Sequence, residues 1–285
     1  MVVGRFAPSP TGPLHFGSLV AALASWLDAR AAGGRWLVRI EDLDTPRTVA
    51  GAAEAILGAP DAFGLGWDGS VAYQSERGAL YRSALERLEK HTYWCGCSRR
   101  EIADSSLALA ADGARIYPGT CRGGLAGKAA RALRVRAAGV VEFHDRVHGR
   151  VAQDLSSEVG DFVLCRADAQ FAYQLAVVVD DAEQGVTDVV RGSDLLDSTG
   201  RQIHLQRLLG YETPRYLHVP AALNRAGEKL SKQTGAMPVN TARRGAELRR
   251  ALRFLGQPET DDLAAAVRAW DPALIPARRG LVAEP

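Results

Sequence analysis

An α/β fold built on a parallel sheet is predicted by the first forty residues. Residues 2–6 read as a short apolar strand and Arg35 to Ile40 as a second one. Between them Leu19, Ala22, Leu23, Trp26 and Leu27 recur at helical spacing, giving a helix with one buried stripe. A strand, helix and strand of this length imply a right-handed crossover between parallel neighbours. In such sheets ligands bind beyond the carboxyl ends of the strands. Two stretches lie there: the loop from Ala7 to Ser18, and Glu41 with Asp42 and Asp44. The loop holds Pro8, Pro10 and Pro13 and runs into a helix N-terminus at Gly17. Free backbone N–H groups and the positive helix end make such a place an anion site. His15 can donate to a phosphate oxygen, and Gly17 lets a ligand approach the backbone. The same stretch also reads as a rigid turn with no ligand, and the local pattern leaves both open.

The remaining elements follow in order. Glu41 can meet an ammonium group or join Asp44 in capping the element that starts at Thr45-Pro46. Residues 47–64 and 76–90 read as helices, joined by a turn-rich link from Gly64 to Gly69. Cys95-Gly96-Cys97 and Cys121 then suit a structural zinc site, since a Cys-x-Cys pair and a later thiolate can share one ion. Cys165, His91, His144 and Tyr117 are the candidates for a fourth ligand by type, Tyr117 being nearest in the chain. Three buried apolar cysteines are the alternative. Residues 132–180 look β-rich. Gln174 to Val179 is expected to be the strongest strand, with Tyr173 at its start and Asp180-Asp181 at its end. A further strand ends at Arg191, either a carboxylate clamp or a surface partner of Asp188 or Asp194. Ser198 to Leu209 reads as a helix capped by Ser198 or Asp197. Lys229-Leu230-Ser231-Lys232-Gln233, between Gly227 and Gly235, makes a cationic loop. The tail from 241 to 285 is helical in pattern and loose after Pro276.

Composition narrows the class. A chain of 285 residues, 47% of them hydrophobic, can bury a core in one or two domains. The net charge of +2 neither demands nor excludes nucleic acid. Four cysteines are too few for a disulfide scaffold and fit reduced thiols or a metal in the cytoplasm. No signal peptide, bilayer-length apolar run, repeat or low-complexity tract stands out.

Pro13-Leu14-His15-Phe16-Gly17-Ser18 resembles the HIGH signature of class I aminoacyl-tRNA synthetases, and Lys229-Leu230-Ser231-Lys232-Gln233 resembles their KMSKS signature. Arg5 to Gly12 with Arg39-Ile40-Glu41-Asp42 narrows the resemblance to the glutamyl/glutaminyl branch. Phe171-Ala172-Tyr173 and Val190-Arg191-Gly192-Ser193-Asp194 fit that branch too. The match covers roughly residues 2 to 240. Ser18, Leu230 and Gln233 depart from the signatures, which puts weight on His15 and Lys232. Two features resemble the short paralogues of the branch: only about 45 residues follow the matched region, and Cys95, Cys97, Tyr117 and Cys121 look like those paralogues' zinc ligands.

The resemblance implies a Rossmann-like catalytic domain over 1–94 and 172–240, an inserted zinc-containing α+β subdomain over 95–171 that meets RNA, and a short helical region over 241–285. It implies a cytoplasmic, monomeric ligase that activates L-glutamate with ATP and Mg²⁺, without tRNA, and passes the glutamyl group to queuosine at the wobble position of tRNA(Asp). His15, Gly17, Lys229 and Lys232 would act on ATP. Arg5, Ser9, Glu41, Tyr173 and Arg191 would hold glutamate. Two other readings are a truncated enzyme charging the 3′ end of tRNA(Glu) and a non-catalytic RNA- or amino-acid-binding relic.

Overall fold

The computed structural model describes residues 1–106, 108–111, 113–230 and 235–283. The elements run β1 (Val3–Phe6), α1 (Phe16–Ala31), β2 (Arg35–Ile40), α2 (Ala52–Ala62), β3 (Ala72–Tyr73), α3 (Gly78–Arg87), β4 (Thr92–Cys95), α4 (Arg99–Ser105), β5 (Ala132–Val135), β6 (Val140–Asp145), β7 (Gly149–Asp154), α5 (Leu155–Glu158) and β8 (Phe162–Cys165). They continue with α6 (Tyr173–Glu183), β9 (Asp188–Gly192), α7 (Thr199–Leu209), β10 (Arg215–Val219), β11 (Ala221–Leu223), α8 (Arg244–Phe254), α9 (Leu263–Ala269) and β12 (Gly280–Val282).

The expected crossover is present. β1 pairs parallel with β2 from Val3–Arg35 to Phe6–Val38, and β2 pairs parallel with β3. A second ladder has the order β7-β6-β10-β9, with β9, β10 and β6 parallel and β7 antiparallel. The two ladders meet at a seam beside β1. There the Thr187 amide donates to the Val3 carbonyl at 3.0 Å, and the Val3 amide donates to Thr187 Oγ1 at 2.9 Å. The chain therefore leaves β1 toward β2 on one side and returns to β9 on the other, which makes β1 a switch point with a crevice beyond its carboxyl end.

Each side of the sheet has its own core. Leu19, Leu23 and Leu27 of α1 pack with Trp36, Ile40, Ile56, Phe63, Leu248 and Leu252. Full burial of such a side chain is worth about 1.5–3 kcal/mol. The Trp36 indole donates to Ser25 Oγ at 2.9 Å, so its one polar atom is satisfied inside that core. Tyr81, Leu88, Leu175, Val178, Leu205 and Leu209 fill the other core, among α3, α6, α7 and the sheet.

Three expectations need correction. Gln174 to Val179 is not a strand but the heart of α6. Every residue from Leu175 to Asp181 is buried, because α3 and α7 both pack on this helix. A helix covered all round carries no polar stripe, so its sequence reads as a continuous apolar run. Asp180 and Asp181 thus belong to a helix, not to a strand end. The tail is not loose after Pro276: β12 pairs parallel with β11 from Ala221–Gly280 to Leu223–Val282. Helix α7 starts without a side-chain cap, Asp197 being engaged with Arg279 at 2.5 Å instead.

The region between β3 and α6 divides in two. β4, β5 and β8 form a separate antiparallel sheet. The β6–β7 hairpin joins the main sheet, through the pairing of Asp145 with Tyr216.

Candidate active site and metal cluster

A cleft of about 660 Å³ opens at the carboxyl ends of β1 and β9, across the seam. Arg5, Ser9, His15, Gly17, Glu41, Tyr173, Arg191 and Lys229 all line it, so residues up to 224 positions apart in the sequence meet in one place. Lys232 lies outside the described residues.

Each side chain has a local reason for its position. Arg5 leaves β1 beneath the cleft, and Asp181 of α6 accepts from its Nε at 3.2 Å and from Nη2 at 3.4 Å. Asp181 also accepts from Arg39 Nη2 at 2.8 Å. Burial opposes its ionisation, but Arg5 and Arg39 outweigh burial and hold its carboxyl below the usual range. The neighbouring Asp180 accepts from Gln74 Nε2 at 2.7 Å, Arg77 Nε at 2.6 Å and Tyr81 Oη at 2.9 Å. The two carboxylates thus bind β1, β2 and the segment before α3 to α6.

Glu41 follows β2 and points into the cleft with Arg39 Nη2 3.4 Å from its Oε1. Burial pushes its carboxyl up to about 7; Arg39 and Arg5 pull the other way, and Asp181 and Asp180 add to the rise. It is a carboxyl without a full counter-charge, suited to a ligand cation. Tyr173 is the first residue of α6 and stands with Arg191, Glu41 and Arg5 around it.

Arg191 is not a surface residue. It is 5% exposed, and its Nε donates to His218 Nε2 at 3.0 Å. Its Nη1 donates to Gln202 Oε1 and its Nη2 to Thr199 Oγ1, both at 2.8 Å. The guanidinium carbon lies over the Tyr216 ring, 5.5 Å from its centroid.

On the other side of the cleft, His15 is the N-cap residue of α1, and its carbonyl accepts from Ser18 and Leu19 at 2.9 and 3.0 Å. Among the described residues no side chain caps this helix, and no acidic residue occupies its first turn, so its positive end is turned toward the cleft. A Cβ on Gly17 would lie 3.2 Å from His15 Cε1 and 3.4 Å from Ala222 Cβ. The lysine loop is anchored here at both ends. Leu230 donates its amide to Ala222 at 2.7 Å, Val239 donates to Leu14 at 2.9 Å, and Pro238 bridges to His15. Lys229 Nζ is 2.6 Å from Asp194 Oδ2.

Away from the cleft, Cys95, Cys97 and Cys121 are buried with their sulfurs within 4.8 Å of one another. Tyr117 Oη lies 3.3 Å from Cys95 Sγ and 3.5 Å from Cys97 Sγ, and accepts from the Cys121 amide at 3.0 Å. Burial pushes the Cys97 thiol up. At Cys121 burial works the same way, but hydrogen bonds from Tyr117, Gly96 and the other cysteines outweigh it and bring the thiol to about 7. Three converging soft donors and a phenol are a donor set that a tetrahedral metal would complete. Of the other candidates, the Cys165 thiol donates to the Arg166 carbonyl, and His91 and His144 are exposed. Asp161 braces the cluster from behind, accepting from Arg122 Nε and Nη2 at 2.6 Å, the Ala137 amide at 2.7 Å and the Tyr93 hydroxyl. Arg134 stacks 4.0 Å over the Tyr117 ring.

Sequence reasoning missed Asp181, Asp145 and His218. Asp181 was hidden by the misread helix. The available signal for His218 was a histidine inside the apolar run Tyr216 to Val219.

A parallel sheet with its switch point at β1, a capless helix N-terminus and a lysine loop tied to that helix define a class I tRNA synthetase catalytic domain. Residues 1–253 match the family described as tRNA synthetases class I (E and Q), catalytic domain. The chain is 63% identical over 273 residues to the glutamyl-Q tRNA(Asp) synthetase of Dechloromonas aromatica (strain RCB), covering 94% of this chain and 91% of that one. It is 58% identical over 292 residues to the protein of the same name from Burkholderia mallei (strain ATCC 23344), covering 97% and 98%. Among solved structures, a glutamate tRNA ligase from Elizabethkingia meningosepticum in complex with its amino acid superposes with a TM-score of 0.82 at 25% identity, over 99% of this chain and 67% of that one. The chain belongs to the glutamyl-Q tRNA(Asp) synthetases of the class I glutamate and glutamine branch. Among the described residues, no helix is long and apolar enough to cross a membrane.

Proposed function

We propose that the chain condenses L-glutamate with ATP to glutamyl-adenylate and pyrophosphate, without tRNA, and then transfers the glutamyl group to queuosine at the wobble position of tRNA(Asp). The observation that carries this reading is the charge pattern of the cleft: two buried arginines, one under-compensated carboxyl and one open helix N-terminus around a single 660 Å³ space. Glutamate has two carboxylates and one ammonium, and ATP supplies the phosphates.

Arg5 and Arg191 bind the carboxylates, Ser9 and Tyr173 add hydrogen bonds, and Glu41 takes the ammonium in its ionised form. The α-carboxylate then attacks the ATP α-phosphate in line. His15 and the backbone at Gly17 hold phosphate oxygens, and Lys232 with Lys229 neutralises the departing pyrophosphate, whose charge a Mg²⁺ brought with ATP would further offset. The protein supplies position and charge; no side chain becomes a covalent intermediate. In the second step a hydroxyl of queuosine attacks the activated carbonyl and AMP departs.

Cys95, Cys97, Tyr117 and Cys121 would hold one structural Zn²⁺, whose chemistry is to cross-link the loops that carry them. The cluster sits in an insertion over 95–171 that contacts RNA and lends its β6–β7 hairpin to the main sheet, between the two catalytic segments 1–94 and 172–240, with 241–285 as a short extension. The enzyme works as a monomer in the cytoplasm, where its tRNA is.

The test is transfer of labelled glutamate to tRNA(Asp) with and without queuosine, and to tRNA(Glu). Label is expected only on queuosine-containing tRNA(Asp). Label on the 3′ end of tRNA(Glu) would establish the truncated charging enzyme instead. Absence of glutamate-dependent ATP–pyrophosphate exchange would leave only a binding protein.

A further inference from the structure

A fully buried polar cluster lies behind Arg191, outside the cleft. His218 of β10 and Asp145 of β6 are both fully buried. Their arrangement fixes the tautomer of the His218 ring. Arg191 Nε can only donate, so His218 Nε2, 3.0 Å away, accepts. The ring proton must then be on Nδ1, where it is donated to Asp145 Oδ2 at 2.7 Å. Asp145 Oδ1 is occupied separately, accepting from the amides of Val147 at 3.0 Å and His148 at 2.9 Å. Burial, with the nearby Arg191 charge, pushes the His218 imidazole down to about 4 against the pull of Asp145, so the ring is neutral. Among the described residues, every acceptor around the Arg191 guanidinium is uncharged: His218 Nε2, Gln202 Oε1, Thr199 Oγ1 and the Leu195 carbonyl. Arg5 differs, since an ionised Asp181 answers its charge. Arg191 is thus oriented without being neutralised, and its charge stays available to an anion in the cleft.

We propose that His218 is a positioning residue for glutamate recognition: its Nε2 lone pair sets the rotation of the Arg191 guanidinium, and Asp145 acts through it by fixing the Nδ1–H tautomer. The inference rests on the reading above that Arg191 binds a glutamate carboxylate, and it adds a chain of command from β6 through β10 to β9. The geometry makes an unusual demand on an isosteric change. In Asp145→Asn the Oδ1 atom stays with the two backbone amides, which leaves the Nδ2 amide facing His218 Nδ1. The ring proton must then move to Nε2, where it removes the lone pair that accepts from Arg191 Nε and faces Thr199 Oγ1, 3.3 Å away, as well. Two changes at His218 separate its functions. His218→Gln retains a carbonyl oxygen near the position of Nε2. His218→Asn retains an amide donor near Nδ1 and offers Arg191 nothing.

The experiment measures KM for glutamate, KM for ATP and kcat in ATP–pyrophosphate exchange, together with melting temperature. His218→Asn and Asp145→Asn are expected to raise KM for glutamate on the order of tenfold, the effect of leaving one buried donor unmatched, with KM for ATP and kcat near wild type. His218→Gln is expected to stay within about threefold of wild type. Nitrogen-15 NMR of the intact protein should find the His218 ring protonated on Nδ1 in the wild type and on Nε2 in Asp145→Asn. Unchanged KM for glutamate in both Asn variants, equal damage to both substrates in all three, or a wild-type Nε2–H ring overturns the proposal. Arg191→Ala tells the two levels apart. If it leaves KM for glutamate unmoved, the carboxylate role of Arg191 falls and this inference with it. If it raises that KM while Asp145→Asn does not, the positioning role alone falls.

Discussion

Gly17→Ala separates stability from catalysis at the helix N-terminus. The backbone at Gly17 is not left-handed, so alanine adopts it without strain, and a first-turn alanine gains up to about 0.5–1 kcal/mol of helix propensity. The added methyl meets His15 Cε1 at 3.2 Å, His15 Nδ1 at 3.3 Å and Ala222 Cβ at 3.4 Å. Ala222 is 4% exposed and fixed in the β11–β12 pair, so the imidazole is the group that gives, by about 0.3 Å. Misplacement by 1 Å costs about a hundredfold in rate, so a shift of this size costs about threefold to tenfold. The melting temperature should stay within about 2 °C of wild type, because gain and crowding are each under about 1 kcal/mol. The assay is glutamate-dependent ATP–pyrophosphate exchange at saturating substrates, beside a thermal melt. An exchange rate equal to wild type with the fold intact would refute the idea that Gly17 keeps His15 in place.

Other expectations are independent of that one. Lys232→Ala should lower adenylate formation by at least tenfold while glutamate affinity, read by calorimetry, changes little; unchanged exchange would remove the lysine loop from the mechanism. One zinc per chain is expected by elemental analysis, and Cys97→Ser should lose it, whereas a metal-free wild type would refute the Cys95, Cys97, Tyr117 and Cys121 site. Glu41 gives a pH signature. Its carboxyl is held near 7 in the ligand-free fold and returns to the ordinary range on unfolding, so its contribution to stability is full below about pH 4.5 and is lost as pH rises through about 7. Denaturant titrations at pH 5 and pH 8 should show that loss in wild type and not in Glu41→Gln. Glutamate affinity should move the opposite way, rising across the same window as Glu41 ionises for the ammonium.

Local signals carried the sequence reading where composition and length set an element apart. The β1–α1–β2 unit was legible because α1, although buried along most of its length, is a 16-residue run rich in Ala and Leu, too long for a strand, and the paired lysine and histidine signatures lie in loops whose composition is unusual. Cys95, Cys97, Tyr117 and Cys121 were legible for a related reason: short spacing in the chain becomes short distance in space. Helix α6 was not, since burial on all sides erases the period that distinguishes a helix from an inner strand. That misreading concealed what Asp180 and Asp181 do. The Asp145–His218–Arg191 chain was illegible for a different reason. Its members lie on three strands that adjoin only after the sheet forms, and a single buried histidine carries no spacing rule. The carboxyl-terminal strand was missed because three residues, Gly280 to Val282, are too few to show alternation.

That strand, β12, also supports the base of the lysine loop. Leu223 is braced by Val282 on one side and bridged to Lys229 on the other. A chain growing on the ribosome has both cleft arginines, the histidine behind Arg191 and the whole main sheet once residue 219 is exposed. It still lacks the strand against which the base of the lysine loop is seated. Fraying of β12 alone is therefore expected to loosen the base of the lysine loop while leaving Arg5, Arg191 and the main sheet in place.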